Sequence, residues 1–295
     1  MEELSYGALN DAGAEAVRRG DFAAALAAYD RARTVAVTDD DRDRTDLNLA
    51  MVRLQMGDAK GGEEGLREIL LRAPDACTSF HAAYNLATSL RRQGRYQRAL
   101  TYARRAMERA HVVGSTDLIA PVHNLLGNIF LNQNYLDEAL AEYEIALDLR
   151  RAQDADTRFS RAILEENIGY CLLLKKRVPE GLERLNAALV LAEETGDRRC
   201  RAECLQDLCY AYMMDGRWEA AIEEGGRALR EAAACGFADI EENCHYLLGE
   251  LGSRSGRHEL RDAHFEALQQ THPEIPFLRE FLCTVDVTDF ITLKR

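Results

Sequence analysis

The chain has 295 residues, 47% of them hydrophobic and 29% charged, with only 5 Pro, so it is a folded chain with apolar residues enough for a sizeable core. Its net charge of -13 argues against nonspecific binding to duplex nucleic acid, which needs a concentration of Lys and Arg. No uncharged apolar run of about 18 residues exists to span a membrane. The opening stretch "MEELSYGALNDAGAEAVRRG" lacks a basic segment before an apolar core, so it is no secretory signal and a cytoplasmic address is expected.

In chain order the sequence repeats itself. "AGAEAVRRGDFAAALAAYDRA" (12–32), "LAMVRLQMGDAKGGEEGLREI" (49–69) and "LATSLRRQGRYQRALTYARRA" (86–106) align without gaps. So do "LGNIFLNQNYLDEALAEYEIA" (126–146), "IGYCLLLKKRVPEGLERLNAA" (168–188), "LCYAYMMDGRWEAAIEEGGRA" (208–228) and "LGELGSRSGRHELRDAHFEAL" (248–268). A small slot recurs at Gly13, Ala50, Ala87, Gly127, Gly169, Cys209 and Gly249, with successive spacings of 37, 37, 40, 42, 40 and 40. Seven units are expected, approximately 4–38, 40–74, 76–114, 116–154, 158–197, 198–237 and 238–273, followed by a C-terminal cap and tail over 274–295.

Each unit reads as two helices. The first ends at a turn pair, Gly20-Asp21, Gly57-Asp58, Gly94-Arg95, Gly216-Arg217 or Gly256-Arg257, where glycine can take the positive φ of a helix end. Pro179 falls in the first turn of its second helix, where a missing N–H is harmless. Strand alternation is absent, and the fold class is all-α. Gly127 costs about 1 kcal/mol inside a helix relative to Ala. The spacing predicts that it faces another small residue, in the slot held by Ala25, Gly62, Ala99, Ala139, Gly181 and Ala221, so that the two helices approach closely. Larger residues, Tyr29, Leu66, Tyr143, Leu185 and Phe265, plug between hairpins.

Leu126-Gly127, Phe130, Ala139, Tyr143 and Ala146, with Trp218 in the aromatic turn slot and Pro74 and Pro273 in the late Pro slot, resemble the tetratricopeptide repeat family. The period exceeds the family's usual 34 or so, like the long repeats of kinesin light chains and bacterial peptide-sensing regulators. The resemblance implies an α-solenoid, a right-handed superhelix of seven hairpins, whose first helices line a concave inner wall. Arg261, where other units have Ala, fits an end unit facing solvent.

Carried over residue by residue, the wall comprises Arg44, Asn48 and Met51 in the second unit and His81, Tyr84, Asn85, Thr88, Arg91 and Arg92 in the third. Asn124, Asn128, Leu131 and Asn132 follow in the fourth, then Glu166, Asn167 and Tyr170. Glu203, Gln206, Asp207, Tyr210 and Met213 stand in the sixth, and Asn243, Tyr246 and Glu250 in the seventh. Asn is a weak helix former, but its amide can bond both N–H and C=O of an extended peptide whatever that peptide's side chains, so a row of Asn with interleaved Tyr and Met reads as a peptide track. The family's clamp for a C-terminal carboxylate is matched only in its middle slot, by Asn48 and Asn167: the first repeat offers Asn10 and Ala14, and the third slots hold His81 and Asn85 or Glu203 and Asp207, which speaks against such a clamp. The wall is two-toned instead, basic at Arg44, His81, Arg91 and Arg92 and acidic at Glu166, Glu203, Asp207 and Glu250, which predicts a partner of opposite polarity.

Residues 74–114 concentrate Arg91, Arg92, Arg95, Arg98, Arg104, Arg105 and Arg109, a solvated helical face or a seat for an acidic partner. The eight Cys show no CxxC, and Cys200, Cys204 and Cys209 are expected as buried hydrophobes, with no metal and no cofactor. No phosphate loop, HExxH or Gly-x-Ser-x-Gly appears, so no catalytic residues are assigned. Glu165 and Glu166, like Glu241 and Glu242, read as surface acids, and His245 beside Cys244 diverges from it on a helix. A non-catalytic adaptor for a peptide or protein partner, with no nucleic acid or membrane contact of its own, is the leading expectation. The second is a peptide-sensing regulator acting through a separate effector, since the first unit begins within the first dozen residues and leaves no room for a DNA-binding domain before it. Arg outnumbers Lys 33 to 4, as in GC-rich bacterial genomes. The last stretch, with Val285, Val287, Phe290, Ile291 and Leu293, is too apolar for a free tail and is expected either to fold back or to join two copies into a homodimer.

Overall fold

The structure is a computed structural model and describes residues 5–72, 75–153 and 155–285. Among these residues every regular element is a helix, fifteen in all. Two compact units divide the chain, Met1–Ala146 and Leu147–Arg295. The first contains α1 (Tyr6–Arg18), α2 (Phe22–Val35), α3 (Asp39–Gln55), α4 (Ala59–Arg72), α5 (Ala76–Arg92), α6 (Tyr96–Val113), α7 (Thr116–Asn132) and most of α8 (Leu136–Arg151). The second holds α9 (Arg158–Leu174), α10 (Val178–Thr195), α11 (Arg198–Met214), α12 (Trp218–Cys235), α13 (Ala238–Arg254), α14 (His258–Thr271) and α15 (Leu278–Thr284).

The turn pairs act as the sequence predicts, and for one reason. At the end of α1, Gly20 at φ 73° gives its N–H to the Val17 carbonyl at 2.9 Å, and Asp21 gives its own to Ala16 at 2.9 Å, which satisfies carbonyls the helix would otherwise strand. The same pair of bonds closes α3, α5, α7, α9, α11 and α13. Where glycine is missing, Asn134 (φ 61°) and Lys176 (φ 60°) adopt the left-handed conformation themselves. Starts are capped more variably: Ser5, Asp21, Thr38, Asp75 and Asp197 accept backbone N–H bonds, and Pro179 sits in the first turn of α10.

Every hairpin buries its seam. In the first unit Leu66, Ile69, Leu86, Leu90, Val122 and Ile129 form one core with the alanines Ala99, Ala103 and Ala106. In the second, Leu189 borders three clusters, built around Ala188–Cys204, Leu185–Leu208 and Ala228–Ile240. First helices also lie side by side, α3 with α5 and α5 with α7 in one unit, α9 with α11 and α11 with α13 in the other.

The glycine of the first helix does not face a small residue, as expected from spacing. A methyl added at Gly127 would fall 2.5 Å from Cε1 of Tyr143, the plug on its own second helix. Gly13 meets Tyr29, Gly169 meets Leu185 and Gly249 meets Phe265 in the same manner. The small residue of the second helix serves the other side of the contact: a methyl at Gly181 would lie 3.1 Å from the Gly169 carbonyl and 2.6 Å from Leu173. In the sixth hairpin the sizes are exchanged, with Cys209 on the first helix and Gly225 on the second.

The C-terminal α15 packs on α14 with Leu282 buried. The expectations for Pro74 and for the tail from residue 286 onward lie outside the described residues.

Candidate functional site

In the first unit the expected wall positions are half-open. A cavity of about 350 Å³ lies over α3 and α5, lined by Met51, Leu54, Gln55 and Ala59 on one side and by Asn85, Thr88, Ser89, Arg92 and Gln93 on the other. Its lining combines the apolar Met51, Leu54 and Ala59 with amides, hydroxyls and the exposed Arg92 guanidinium. Several wall residues also serve their neighbours. Asn48 donates to Asn10 Oδ1 at 3.1 Å, Asn85 to the His81 carbonyl at 2.9 Å, and Arg91 to Asn132 Oδ1 at 2.9 Å. Asn128 accepts from the Tyr143 hydroxyl at 2.8 Å, so one end of its amide holds the plug in place. Arg44 pairs with Asp40 at 3.0 Å, and Tyr84 stacks on Phe80 with centroids 5.8 Å apart. Asn124 is half-buried on the same helix as Asn128. Burial lowers the pKa of His81, with Asp75 opposing, and lowers that of Arg91, helped by the like charge of Arg92.

The arginine-rich stretch is only partly a free face. Arg92, Arg98 and Arg104 are exposed, while Arg105 donates to the Leu70 carbonyl at 3.0 Å and Arg95 reaches Glu63 at 3.2 Å. Glu63 is a hub that sequence alone does not reveal: only 3% exposed, it also takes Gln93 at 2.5 Å, Ser89 at 3.3 Å and the Arg67 guanidinium.

In the second unit the equivalent wall is buried. Glu166, Asn167 and Tyr170 on α9, Gln206 and Asp207 on α11, and Asn243, Tyr246 and Glu250 on α13 are all less than a tenth exposed. Glu203 and Tyr210 are half-buried, and Glu203 pairs with Arg199 at 3.0 Å. Glu165 and Glu166 are therefore not surface acids. Glu165 is clamped between Arg151 at 2.6 Å and Arg184 at 3.0 Å, and a buried carboxylate needs such partners to stay charged. Glu241 and Glu242 are half-buried rather than free, Glu242 lying 2.8 Å from His272.

A tetratricopeptide repeat family model matches residues 78–152, which span α5 to α8. The same slots recur through the remaining hairpins. Residues 78–152 are tetratricopeptide repeats. No curated protein matches it at a significant level. Among solved structures the repeats are similar to the apo form of RapI, at 15% identity over 92% of this chain and 98% of that one, TM-score 0.73. A Rap protein complexed with competence and sporulation factor matches at 12% identity over 93% and 76%, TM-score 0.66. The STAND protein with a tetratricopeptide repeat sensor from Pyrococcus horikoshii matches at 13% over 93% and 43%, TM-score 0.70. At these identities the likeness establishes the fold.

Cys200, Cys204 and Cys209 are buried along α11 of this repeat protein, where burial pushes the Cys209 thiol up and Cys200 and burial push up that of Cys204. Raised thiols are poor nucleophiles and poor metal ligands. Among the described residues no group of three or more His, Cys, Asp and Glu converges as a metal site, and no helix is long and apolar enough to cross a membrane. His245 turns away from Cys244 and meets His264 instead, Nδ1 to Nδ1 at 2.9 Å. They stand 19 positions apart, on α13 and α14 of one hairpin, and neither histidine signals the other in sequence.

Proposed function

We propose that this protein is a non-catalytic scaffold of the cytosol that binds an extended peptide, or an extended segment of a partner protein, along the faces of its first helices. The observation that carries the reading is the cavity over α3 and α5, where Asn85, Gln55 and Thr88 offer donors and acceptors beside the apolar Met51 and Leu54. Backbone-directed amides give affinity without demanding a sequence, and the apolar side chains add area. Exposed Arg92 at the rim selects an acidic segment for this unit. The residues assigned to the track are Arg44, Asn48, His81, Tyr84, Asn85, Arg91, Arg92, Asn124, Asn128 and Asn132. A second reading, a regulator that senses a ligand and passes the signal to a separate effector, draws support from the similar Rap protein complexed with competence and sporulation factor.

Panning a displayed peptide library against the full chain, followed by calorimetry on the selected peptides, tests the proposal. Acidic extended peptides are expected, with Arg92→Glu weakening them at least about tenfold at low salt and about 1 kcal/mol or more lost in Asn85→Leu. Selected peptides indifferent to both substitutions, or no saturable binder at all, overturn it.

A further inference from the structure

A charged cleft of about 440 Å³ adjoins the cavity over α3 and α5 in the first unit, and Ala59 and Gln93 border both. Four cations line it, Lys60 and Arg67 from α4 and Arg95 and Arg98 from the start of α6, against two acids, Glu63 and Glu64. The cleft therefore carries a surplus of two positive charges in a chain whose net charge is -13. On α4 the spacing of Lys60, Glu63, Glu64 and Arg67 puts all four on one helical face. Asp58, just before that helix, is occupied as its cap and accepts the Gly61 N–H at 2.9 Å.

Structural need accounts for two of the four cations. Buried Glu63 requires partners to stay charged, and Arg67 and Arg95 bond one of its oxygens while Gln93 and Ser89 bond the other. Lys60 and Arg98 are exposed, and neither makes a side-chain hydrogen bond or ion pair among the described residues. The Arg67 Nε is buried and has no partner among them either. A guanidinium carries five N–H donors, so the two that hold Glu63 keep donors to offer. Lys and Arg bind most strongly to a compact anion with several acceptor oxygens. A phosphorylated side chain brings a charge of about -1.5 to -2 and three such oxygens, which matches the surplus, whereas one carboxylate neutralises half of it. A long polyanion fits poorly, because the surplus is confined to one small cleft of an acidic chain.

We propose that this cleft receives the phosphoryl group of a phosphorylated Ser or Thr in the partner segment, while an apolar residue flanking it lies against Met51 and Leu54 in the adjoining cavity. Lys60 and Arg98 are the residues that read the phosphoryl group, and Arg67 and Arg95 present their remaining N–H groups around it. Small Ala59 stands where the segment passes from cavity to cleft. The proposal rests on the reading of the cavity over α3 and α5 as a peptide site and names the partner's class, a phosphorylated protein segment. Binding is non-covalent and leaves the phosphoester intact, so modification of the partner strengthens an association that the unmodified segment makes through the cavity alone.

Three immobilised peptide libraries, identical except for a fixed central phosphoserine, glutamate or serine, test it against the full chain and its variant Lys60→Ala/Arg98→Ala. Both substituted side chains are exposed, so the variant should fold as the parent does. At low salt the phosphoserine library should retain the full chain at least about tenfold more strongly than the serine library and about threefold more strongly than the glutamate one. Apolar residues should be enriched within about four positions of the phosphoserine, the reach of a segment that spans both lining sets. The double variant should keep its retention on serine and lose the preference for phosphoserine to within about twofold. Equal retention by all three libraries overturns the inference and leaves the peptide reading standing. A phosphoserine preference that survives in the double variant also overturns it, by placing the phosphoryl group elsewhere. Inorganic phosphate that abolishes retention below about 1 mM assigns the cleft to the free ion and overturns it as well. Retention by none of the libraries overturns the inference and the peptide reading together. A preference lost in the double variant but indifferent to Asn85→Leu and to flanking apolar residues keeps the phosphoryl cleft and sinks the reading of the cavity.

Discussion

A helical glycine is a debt unless something fills its space, and Gly127 shows what does. The Tyr143 ring occupies the volume a side chain would take, and its hydroxyl is tied to Asn128 at 2.8 Å. Gly127→Ala should gain about 1 kcal/mol of helix propensity yet lose more through overpacking, about 1–3 kcal/mol. The expected result in urea unfolding is net destabilisation, by about 1 kcal/mol. Adding Tyr143→Leu recreates the Ala50 and Leu66 pair of the second repeat and should recover most of the loss, whereas two independent defects would add. The His245–His264 pair carries a different consequence. Burial, and then the neighbouring His245, lower the pKa of His264 from 6.5 to about 4, and burial lowers that of His245 against the opposing field of Glu241. The fold therefore holds His264 neutral, and between pH 6.5 and about 4 the unfolded chain binds the proton more readily. Stability from this site is present above pH 6.5 and is lost as the pH falls through that window, by up to ~3 kcal/mol. His264→Gln should flatten the difference between unfolding free energies measured at pH 7 and pH 4.5, while equal pH slopes in both proteins would refute the assignment.

At the scale of the element, seven first helices end in one hydrogen-bond pattern, and five of the seven use glycine for it. The backbone demands φ near +60 to +80° there, which costs an L-residue about 1 kcal/mol and costs glycine nothing beyond chain entropy. Lys176→Gly should accordingly raise the urea midpoint, by the equivalent of about 0.5–1 kcal/mol, and Asn134→Gly should raise it less because Asn tolerates this region better. No gain at position 176 would mean that the aliphatic part of Lys176 makes up the difference. Hairpin seams exchange volumes: Gly13, Gly127 and Gly249 face Tyr or Phe, Gly169 faces Leu185, and Cys209 faces Gly225. This rule was legible as a periodic pattern of small and large residues, but its pairing was not, because which residue fills a glycine's space depends on the rotation of the two helices about their axes.

At the scale of the whole chain, the repeat period declared the helical architecture, since local spacing and turn glycines suffice to specify a hairpin and each hairpin repeats its neighbour. The wall was less legible. Face positions follow from helical phase, which is why Asn85, Thr88 and Met51 converge on one cavity, but burial at a face depends on what lies over it, and Glu166 and Asp207 look no different in sequence from solvated acids. The Glu63 hub and the Glu165 clamp escaped for the same reason, their partners being 30 and 19 residues away. The architecture has an energetic corollary. Every substantial packing between described helices joins elements no more than two positions apart in the chain, so stability should be nearly a sum of repeat and nearest-neighbour contributions. Leu86 is fully buried at the centre of the first unit's core, and Leu86→Ala should cost about 2–5 kcal/mol locally. Native-state hydrogen exchange should then show protection falling by that amount in α3 to α7 and unchanged protection in α12 to α14, because among the described helices no substantial packing joins one group to the other. An equal loss of protection in all helices would instead mean that the chain unfolds as one cooperative body, and that the neighbour-by-neighbour account of its stability is wrong.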